Sequence, residues 1–295
     1  MTYFIVVDKP KGWSSHKVVH HIKKITNQKV GHTGTLDPFA TGVLPIAIGK
    51  ATRLIPYLDE RQKIYRATLV LGKRTDSGDI DGEVIEEQPI PTFNQDTLLN
   101  VFANMLGTQM QEVPKYSAVK VDGKRLYKYA RQGLEVECPK KEITIYKLHL
   151  CSYDSEEIVF EVHCSRGTYV RTIGEDIAQR IGTVGYLSEL ERIASGQFTQ
   201  EQAILDFSNL LAENESHDLI STIEENIIAI QLLFPFQTCE VEAEWLPKIA
   251  NGQRLPFSLL PALQIDQKLI LMHKNKICAL GQKEERSLRY LCVLI

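Results

Sequence analysis

The stretch GHTGTLDPFATGVLP, residues 31–45, contains a single ionisable acid, Asp37, among small, turn-forming and apolar residues. Proline follows the aspartate directly, and glycine-containing turns stand on both sides. Aspartates in such turns commonly accept hydrogen bonds from their own backbone, so a turn-capping role is the simplest interpretation. Small neighbours would equally let a ligand approach the carboxylate closely. The stretch by itself leaves both interpretations open.

Predicted strands and helices alternate on both sides of this loop. Residues 4–8 predict a buried strand, and a helix begins after Ser14 or Ser15. Further strands are predicted at the start of 64–82 and, as a hairpin, over 143–150 and 158–164, with helices over 94–106 and up to about Gly182. Hairpin-paired strands with helices between them indicate an α+β fold with a central mixed, mainly antiparallel sheet. Short β-forming runs at the end predict a small β-rich domain over 240–295, after a larger domain over 1–235.

Composition points to an ordinary globular protein. The chain has 295 residues, 43% of them hydrophobic, and contains no apolar run long enough to span a membrane. Its first residues lack the features of a signal peptide, so we expect a cytoplasmic protein with no membrane association. Six cysteines occur without any C-x-x-C pair, which argues against a zinc site or a disulfide framework.

Charge is distributed in blocks, although the net charge is only −3. Residues 1–75 contain 13 Lys/Arg against 4 Asp/Glu, and residues 109–147 contain 9 against 5. Residues 193–247 contain ten acids and no Lys or Arg. Such blocks allow a basic surface on a protein of neutral total charge, which is the pattern that nucleic-acid binding requires.

Common catalytic motifs are absent from the sequence. It contains no P-loop, no G-x-G-x-x-G after a strand, no H-E-x-x-H and no G-x-S-x-G. Besides Asp37, the run CSRGTYVR holds Tyr169 and Arg171 two positions apart, and on an extended segment such side chains point the same way. An aspartate, an arginine and tyrosines together could form a nucleophilic site that needs no cofactor.

Four segments, in this order, resemble the motifs of bacterial tRNA pseudouridine-55 synthases, the TruB family: DKPKGWSS (8–15), GHTGTLDPFATGVLPIAIGKATR (31–53), KIYRATLVLGKRTDSGDIDG (63–82) and CSRGTYVRTIGEDI (164–177). The run PKYSAVKVDGKRLYKYARQG (114–133) resembles the family's RNA-gripping insert, which we place at about 109–141. The resemblance covers roughly residues 4–192. Residues 240–295 resemble more loosely its small RNA-binding domain of the PUA type. The pseudouridine synthase fold is therefore expected.

This resemblance implies a reaction and a set of site residues. Uridine 55 in the T-arm loop of tRNA would be flipped out, its uracil detached, turned and rejoined through carbon 5, by a monomer without metal, cofactor or obligate protein partner. The implied catalytic residues are Asp37 as nucleophile, Tyr65 and Arg171. The implied substrate-binding residues are His32, Tyr169, Leu190, Lys9, Lys11, Lys120, Lys124, Arg125 and Arg131.

Other functions remain possible from the residues. The chain could bind or refold tRNA without modifying it, alone or beside catalysis, or Asp37 could serve a glycosidase or nucleoside hydrolase, which would need a second acid. A guide-RNA-dependent relative would lack the same insert. Two residues depart from the family pattern: Lys115 stands where a second proline is common, and Glu191 stands in a segment that is often rich in arginine.

Overall fold

The computed structural model describes residues 2–212, 216–256, 259–285 and 287–295. Side chains are described for these residues except those within 210–218. Its strands are β1 (Thr2–Lys9), β2 (Val30–His32), β3 (Thr41–Gly49), β4 (Gln62–Leu71), β5 (Lys73–Thr75), β6 (Val84–Glu87), β7 (Gly107–Glu112), β8 (Lys120–Val121), β9 (Lys124–Arg125), β10 (Lys140–Tyr153), β11 (Glu157–Ser165), β12 (Gly185–Ser195), β13 (Phe198–Thr199), β14 (Ala203–Ile204), β15 (Gln237–Glu240), β16 (Lys268–His273), β17 (Lys276–Lys283) and β18 (Leu288–Val293). Its α-helices are α1 (Ser15–Thr26), α2 (Gln95–Ala103), α3 (Leu126–Ala130), α4 (Val170–Ile181), α5 (Phe207–Ala212), α6 (Ser216–Glu225), α7 (Ile230–Leu233) and α8 (Leu246–Ala250). Within the described ranges, no helix has both the length and the apolar character needed to cross a membrane.

A large mixed sheet dominates the fold, in the order β14-β1-β3-β12-β4-β11-β10-β7, with β2 beside β3 and β13 beside β12. Most neighbouring strands are antiparallel, whereas β1 with β14 and β3 with β12 are parallel. The predicted α+β class with a mainly antiparallel sheet is therefore confirmed, including the hairpin of β10 and β11.

Helices cover one face of this sheet. Strand β4 alternates buried and more exposed positions, and its buried side chains from Tyr65 onward share a core with apolar residues of α1, α2 and α4. Helix α1 begins where the sequence predicts, because the Ser14 side chain accepts a hydrogen bond from the backbone N–H of Lys17 at 3.1 Å. Helix α4 ends at Ile181, and the next residue, Gly182, has the left-handed φ of 101° common at helix ends. Helix α1 thus fixes the chain just before residues 31–45, and helix α4 fixes the segment that contains Tyr169 and Arg171.

The C-terminal strands form a second sheet in the order β15-β16-β17-β18. Strand β15 starts at Gln237, slightly before the predicted domain at 240–295. One face of this sheet shares a buried apolar cluster with β1 and β3 of the large sheet. Arg53 and Tyr57 also donate hydrogen bonds to the carbonyl oxygens of Val293 and Leu291, at 2.8 and 3.2 Å. The C-terminal sheet is therefore docked on the large sheet by both apolar and polar contacts.

The predicted insert is shorter than 109–141. Strand β7 continues to Glu112 and β10 begins at Lys140, and these two strands pair with each other in the large sheet. The insert proper thus covers 113–139 and contains the β8–β9 hairpin and helix α3, anchored by the buried Leu126. A sequence pattern misses such boundaries because they depend on the pairing of strands that lie far apart in the chain.

Gly42, at the start of β3, should tolerate no side chain. It pairs with Arg192 of β12, has a φ of +98°, and a Cβ there would lie 2.4 Å from the Arg192 carbonyl oxygen. Gly107 has the same φ but open space around its Cβ position. Both alanine variants lose the glycine backbone freedom, so we expect Gly42→Ala to lower the free energy of unfolding by about 3 kcal/mol more than Gly107→Ala, measured by urea denaturation. Equal losses would mean that β3 and β12 separate without cost.

Candidate active site

One cleft of about 1440 Å³ opens above the middle of the large sheet. Its walls come from the loop before β3, strand β4, the polar loop after β5, the insert, the start of α4 and strand β12. The lining includes all three residues predicted as catalytic, Asp37, Tyr65 and Arg171. It also includes five of the predicted substrate-binding residues: His32, Tyr169, Leu190, Arg125 and Arg131. Residues from distant parts of the sequence thus meet in one place.

Asp37 and Arg171 form an ion pair, with 3.1 Å between Oδ2 and Nη2. The Asp37 side chain is 35% exposed toward the cleft, whereas the Arg171 side chain is 4% exposed. Arg171 also contacts Asp79 Oδ2 at 3.1 Å and donates to the carbonyl oxygens of Ser77 and Tyr116, at 2.8 and 2.9 Å. A planar guanidinium with this many acceptors has one orientation, so it holds the accessible carboxylate of Asp37 in place.

The sequence did not single out Asp79, which lies in the polar loop of the third motif. Its Oδ1 accepts hydrogen bonds from the Ser77 hydroxyl at 2.6 Å and from the Asp81 backbone at 3.1 Å. Burial raises the pKa of Asp79, and the Ser77 hydrogen bond and the charge of Arg171 oppose that rise. In the sequence Asp79 is only one acidic residue in a polar turn, because its partner Arg171 lies 92 positions away in the chain.

Lys9 does not lie where an RNA contact was expected. Its side chain has no exposed surface, and its ammonium donates to the carbonyl oxygens of Pro10, Trp13 and Pro38, at 2.9, 2.6 and 3.2 Å. Burial lowers the pKa of Lys9 to about 8, although the charge of Asp37 opposes this shift. Lys9 therefore ties the turn after β1 to the loop that carries Asp37, and its ammonium is not available to a phosphate in this conformation.

Two more contacts fix the Asp37 loop. The Gly12 backbone N–H donates to the Pro38 carbonyl at 2.8 Å. The buried Ser15 hydroxyl accepts from the Leu36 N–H at 2.8 Å and donates to the Leu36 carbonyl at 3.1 Å. The first motif thus supports the second, which explains structurally why both occur in one protein.

Tyr65 and Leu190 form part of the cleft floor. Tyr65 lies on β4, is 8% exposed, and pairs in register with Arg192 of β12. Burial raises the pKa of Tyr65, and the positive charge of Arg192 opposes the rise. A neutral phenol and the 7% exposed Leu190 give a flat, apolar surface on which a base can stack.

Arg192 is a further residue that the sequence did not single out. It is 1% exposed, and it donates to the carbonyl oxygens of Val43 at 2.7 Å and Gly34 at 3.0 Å. Glu191 points to the other side of β12, where it lies 4.0 Å from Arg66 on the surface. The departure at Glu191 thus affects the surface and not the cleft, while its neighbour supports the Asp37 loop.

Tyr169 and Arg171 do not share an extended segment as predicted. Tyr169 is the residue before α4, with extended φ and ψ, and Arg171 lies in the first turn of that helix. Both line the cleft nevertheless. The Gln111 side chain holds this start in place, since it accepts from the Tyr169 N–H at 2.8 Å and donates to the Tyr169 carbonyl at 3.0 Å.

His32 also lines the cleft, with a buried Nδ1 that has no hydrogen-bond partner among the described residues. Burial lowers the pKa of His32, and the charge of Arg192 lowers it further. Burial and the charge of Arg192 therefore both favour the neutral form of the His32 ring.

The predicted basic residues of the insert divide into two groups. Arg125 and Arg131 line the cleft, whereas Lys120 and Lys124 lie on the β8–β9 hairpin outside its lining. Lys124 is hydrogen-bonded to the Gln132 side chain and lies 4.4 Å from the centre of the Tyr129 ring.

Other surface positions follow the same basic pattern. Lys11, outside the insert, is exposed, and so is Lys115, the second departure from the family pattern. Where the chain is described, no three His, Cys, Asp or Glu residues gather in a way that could hold a metal ion.

Comparison with known proteins gives consistent matches. The family described as "TruB family pseudouridylate synthase (N terminal domain)" matches residues 22–170. The tRNA pseudouridine synthase B of Geotalea uraniireducens is 47% identical over 272 residues, 91% of this chain and 84% of the relative. That of Clostridium perfringens is 36% identical over 301 residues, 100% and 99% of the two chains. A chain in the crystal structure of a Cbf5-Nop10-Gar1 complex matches 99% of this chain and is itself covered to 85%, with a TM-score of 0.71 and 24% identity, which shows a shared fold.

Proposed function

Since this chain belongs to the TruB family of pseudouridylate synthases, we propose that it converts uridine 55 in the T-arm loop of tRNA to pseudouridine, with Asp37 as nucleophile. The observation that carries the proposal is the partly exposed Asp37 carboxylate, ion-paired to a buried Arg171 at 3.1 Å above a floor of Tyr65 and Leu190. The names of the relatives specify tRNA and pseudouridine; the target position and the role of Asp37 belong to the proposal.

The reaction moves the base from one attachment to another within a single nucleotide. The bond between C1′ and N1 breaks, the uracil turns, and a bond between C1′ and C5 forms while the hydrogen on C5 leaves. Asp37 takes part as the carboxylate that bonds to one fragment, and the ion pair with Arg171 keeps it oriented. Holding both fragments makes their recombination intramolecular, which contributes roughly 7–11 kcal/mol to lowering the barrier.

The target uridine reaches this site only after leaving the folded loop. Flipping costs a few kcal/mol, which stacking on Tyr65 and contact with Leu190 and Tyr169 offset. His32, which also lines the cleft, fills the space that the flipped base leaves. The neutral state of this histidine suits contact with neighbouring bases.

Affinity for the T-arm comes from phosphate contacts of exposed basic residues. The residues proposed for this role are Lys11, Lys120, Lys124, Arg125 and Arg131. Lys9 is left out, because its ammonium is bonded to three carbonyl oxygens inside the protein. The C-terminal sheet acts as a PUA-like RNA-binding domain. We include in the proposal that the enzyme works in the cytoplasm as a monomer, without metal, cofactor or obligate protein partner.

A tRNA transcript tritiated at C5 of uridine tests this function. We expect the wild-type protein to release about one equivalent of tritium per tRNA, and none from a transcript with cytidine at position 55. Binding without release would favour a tRNA chaperone. Release of free uracil, detected by chromatography, would favour a nucleoside hydrolase. Either result would overturn the proposed isomerisation.

A further inference from the structure

Two buried cations lie under the Asp37 loop, on the side of the cleft away from its ion pair. Lys63 is on β4, two residues before Tyr65 and on the same face, and it is 4% exposed. Arg192 lies on the neighbouring strand β12. Both line the cleft, and a Cβ on Gly34 would lie 3.4 Å from Arg192 Nη1 and 3.9 Å from Lys63 Nζ. The loop backbone thus rests directly on both charged groups.

These cations are incompletely neutralised. Lys63 Nζ lies 3.3 Å from Glu60 Oε1 and donates to the Ser195 hydroxyl at 2.5 Å. Arg192 donates to neutral carbonyl oxygens, and no carboxylate of the described residues lies within ion-pair distance of it. Two positive charges therefore face one negative charge, that of Glu60, and all three side chains are almost fully buried.

Keeping this excess charge is costly in a folded core. The positions of β4 that follow on the same face are Ala67, Leu69 and Leu71, so an apolar residue at position 63 would continue the core. Burial lowers the pKa of Lys63 to about 8, against the attraction of Glu60. A buried charge without full compensation destabilises the folded protein, unless a bound ligand or a transition state supplies the opposite charge.

The positive charge of Arg171, unlike that of Lys63 and Arg192, is fully compensated. It lies within 3.1 Å of both Asp37 and Asp79, so two carboxylates already share its single positive charge. On the described walls of the cleft, the uncompensated buried positive charge therefore belongs to Lys63 and Arg192.

We propose that Lys63, with Arg192 beside it, stabilises the negative charge that the uracil ring carries once its bond to ribose is broken. When the C1′–N1 bond breaks, its electron pair stays on the ring and spreads over N1, O2 and O4, while Asp37 forms a bond to C1′. After the ring turns, the C5–C1′ bond forms, the Asp37–C1′ bond breaks, the C5 proton goes to water, and N1 takes up a proton. Lys63 stays protonated throughout and forms no covalent bond.

Geometry supports this role because Tyr65 and Leu190 define where the ring stacks. Lys63 precedes Tyr65 by one inward-facing position of β4, about 7 Å along the strand. Preorganised charge in such a site acts on the transition state without the reorganisation that water requires. This inference rests on the proposed function and adds to it the group that receives the leaving electron pair.

The test compares two leaving groups in single-turnover reactions. Each reaction is monitored as the loss of the intact target nucleoside, measured after the tRNA has been digested. Substrates are tRNA transcripts with uridine or with 5-fluorouridine, whose ring anion is the more stable because fluorine withdraws electrons. We expect Lys63→Gln to slow uridine conversion by about 100-fold with little change in tRNA affinity. The loss on 5-fluorouridine should be tenfold or less. Lys63→Arg, which keeps the charge, should restore most of the uridine rate.

Controls separate this inference from trivial outcomes. Lys73→Gln removes an exposed lysine, paired with Glu87 at 3.6 Å outside the cleft, and should leave both rates unchanged. The double variant Lys63→Gln/Glu60→Gln leaves no unpaired buried carboxylate, so it serves as the test if the single variant does not fold. Its ratio of the 5-fluorouridine rate to the uridine rate should still be higher than that of the wild type. An equal loss on both substrates, or no loss, would overturn the role of Lys63. Failure of the wild type to convert uridine would instead overturn the proposed function.

Discussion

Replacement of Asp37 by asparagine should abolish pseudouridine formation, with the single-turnover rate falling by at least about 10⁴-fold. The amide has the same shape as the carboxylate but is neutral and is not a nucleophile. Arg171 keeps its contacts with Asp79, Ser77 and Tyr116, so the cleft should remain assembled. The measurement is tritium release from C5-tritiated tRNA, with tRNA affinity determined in parallel and expected to change little.

The matched control is Asp96→Asn, which makes the same chemical change at an exposed position in the first turn of α2, outside the cleft. We expect wild-type tritium release from it. If Asp37→Asn retained more than about 1% of the wild-type rate, another group would have to be the nucleophile. Normal tRNA binding in a variant without release would separate loss of chemistry from loss of recognition.

Buried charged side chains contact the Asp37 loop and its ion pair from several elements. Arg171 contacts both Asp37 and Asp79 on one side, and Lys63 and Arg192 lie under the same loop on the other. Lys9 also contacts this loop, since its ammonium donates a hydrogen bond to the Pro38 carbonyl oxygen. The Asp37 loop therefore lies between fixed cations, which explains how a loop of small residues can hold the Asp37 carboxylate in one position.

Much of this arrangement was predictable from local sequence. Resemblance to motifs identified Asp37, Tyr65 and Arg171, and all three line one cleft in the structure. Hydrophobic periodicity predicted helix α1 and the β10–β11 hairpin, because caps, alternation and turn residues are local signals. The mainly antiparallel sheet followed from the order of those elements.

The misplaced and missing residues share a physical cause, which is pairing between distant segments. Arg192 reaches the cleft because it lies opposite Tyr65 in register, and Asp79 because a loop after β5 meets the start of α4. Lys9 has the chemistry of a surface cation, but its ammonium donates to two carbonyl oxygens of the adjacent turn and to one of a loop 29 positions away. None of these contacts leaves a periodic trace in the sequence.

Replacement of Arg171 by methionine should both unfold the site and stop the reaction. Methionine matches the length of the side chain but leaves Asp79, whose side chain is 7% exposed, without its buried partner. Removing one member of a buried ion pair typically costs about 3–5 kcal/mol, and we expect that loss in urea denaturation at pH 7. Arg74→Met is the matched control, because Arg74 pairs with Glu86 at 2.7 Å on the surface, and should cost less than about 1 kcal/mol.

The pH dependence distinguishes a lost charge partner from lost packing. Burial already raises the pKa of Asp79 in the wild type, and removal of Arg171 should raise the pKa further. A carboxyl whose pKa is raised on folding favours the folded state most below its unfolded pKa, and that contribution is lost as the pH rises through the folded pKa. The stability difference between Arg171→Met and wild type should therefore shrink from pH 8 to pH 5, as Asp79 takes up a proton. A difference that stays constant over this range would mean that packing, and not the charge of Arg171, holds Asp79 and the cleft in place.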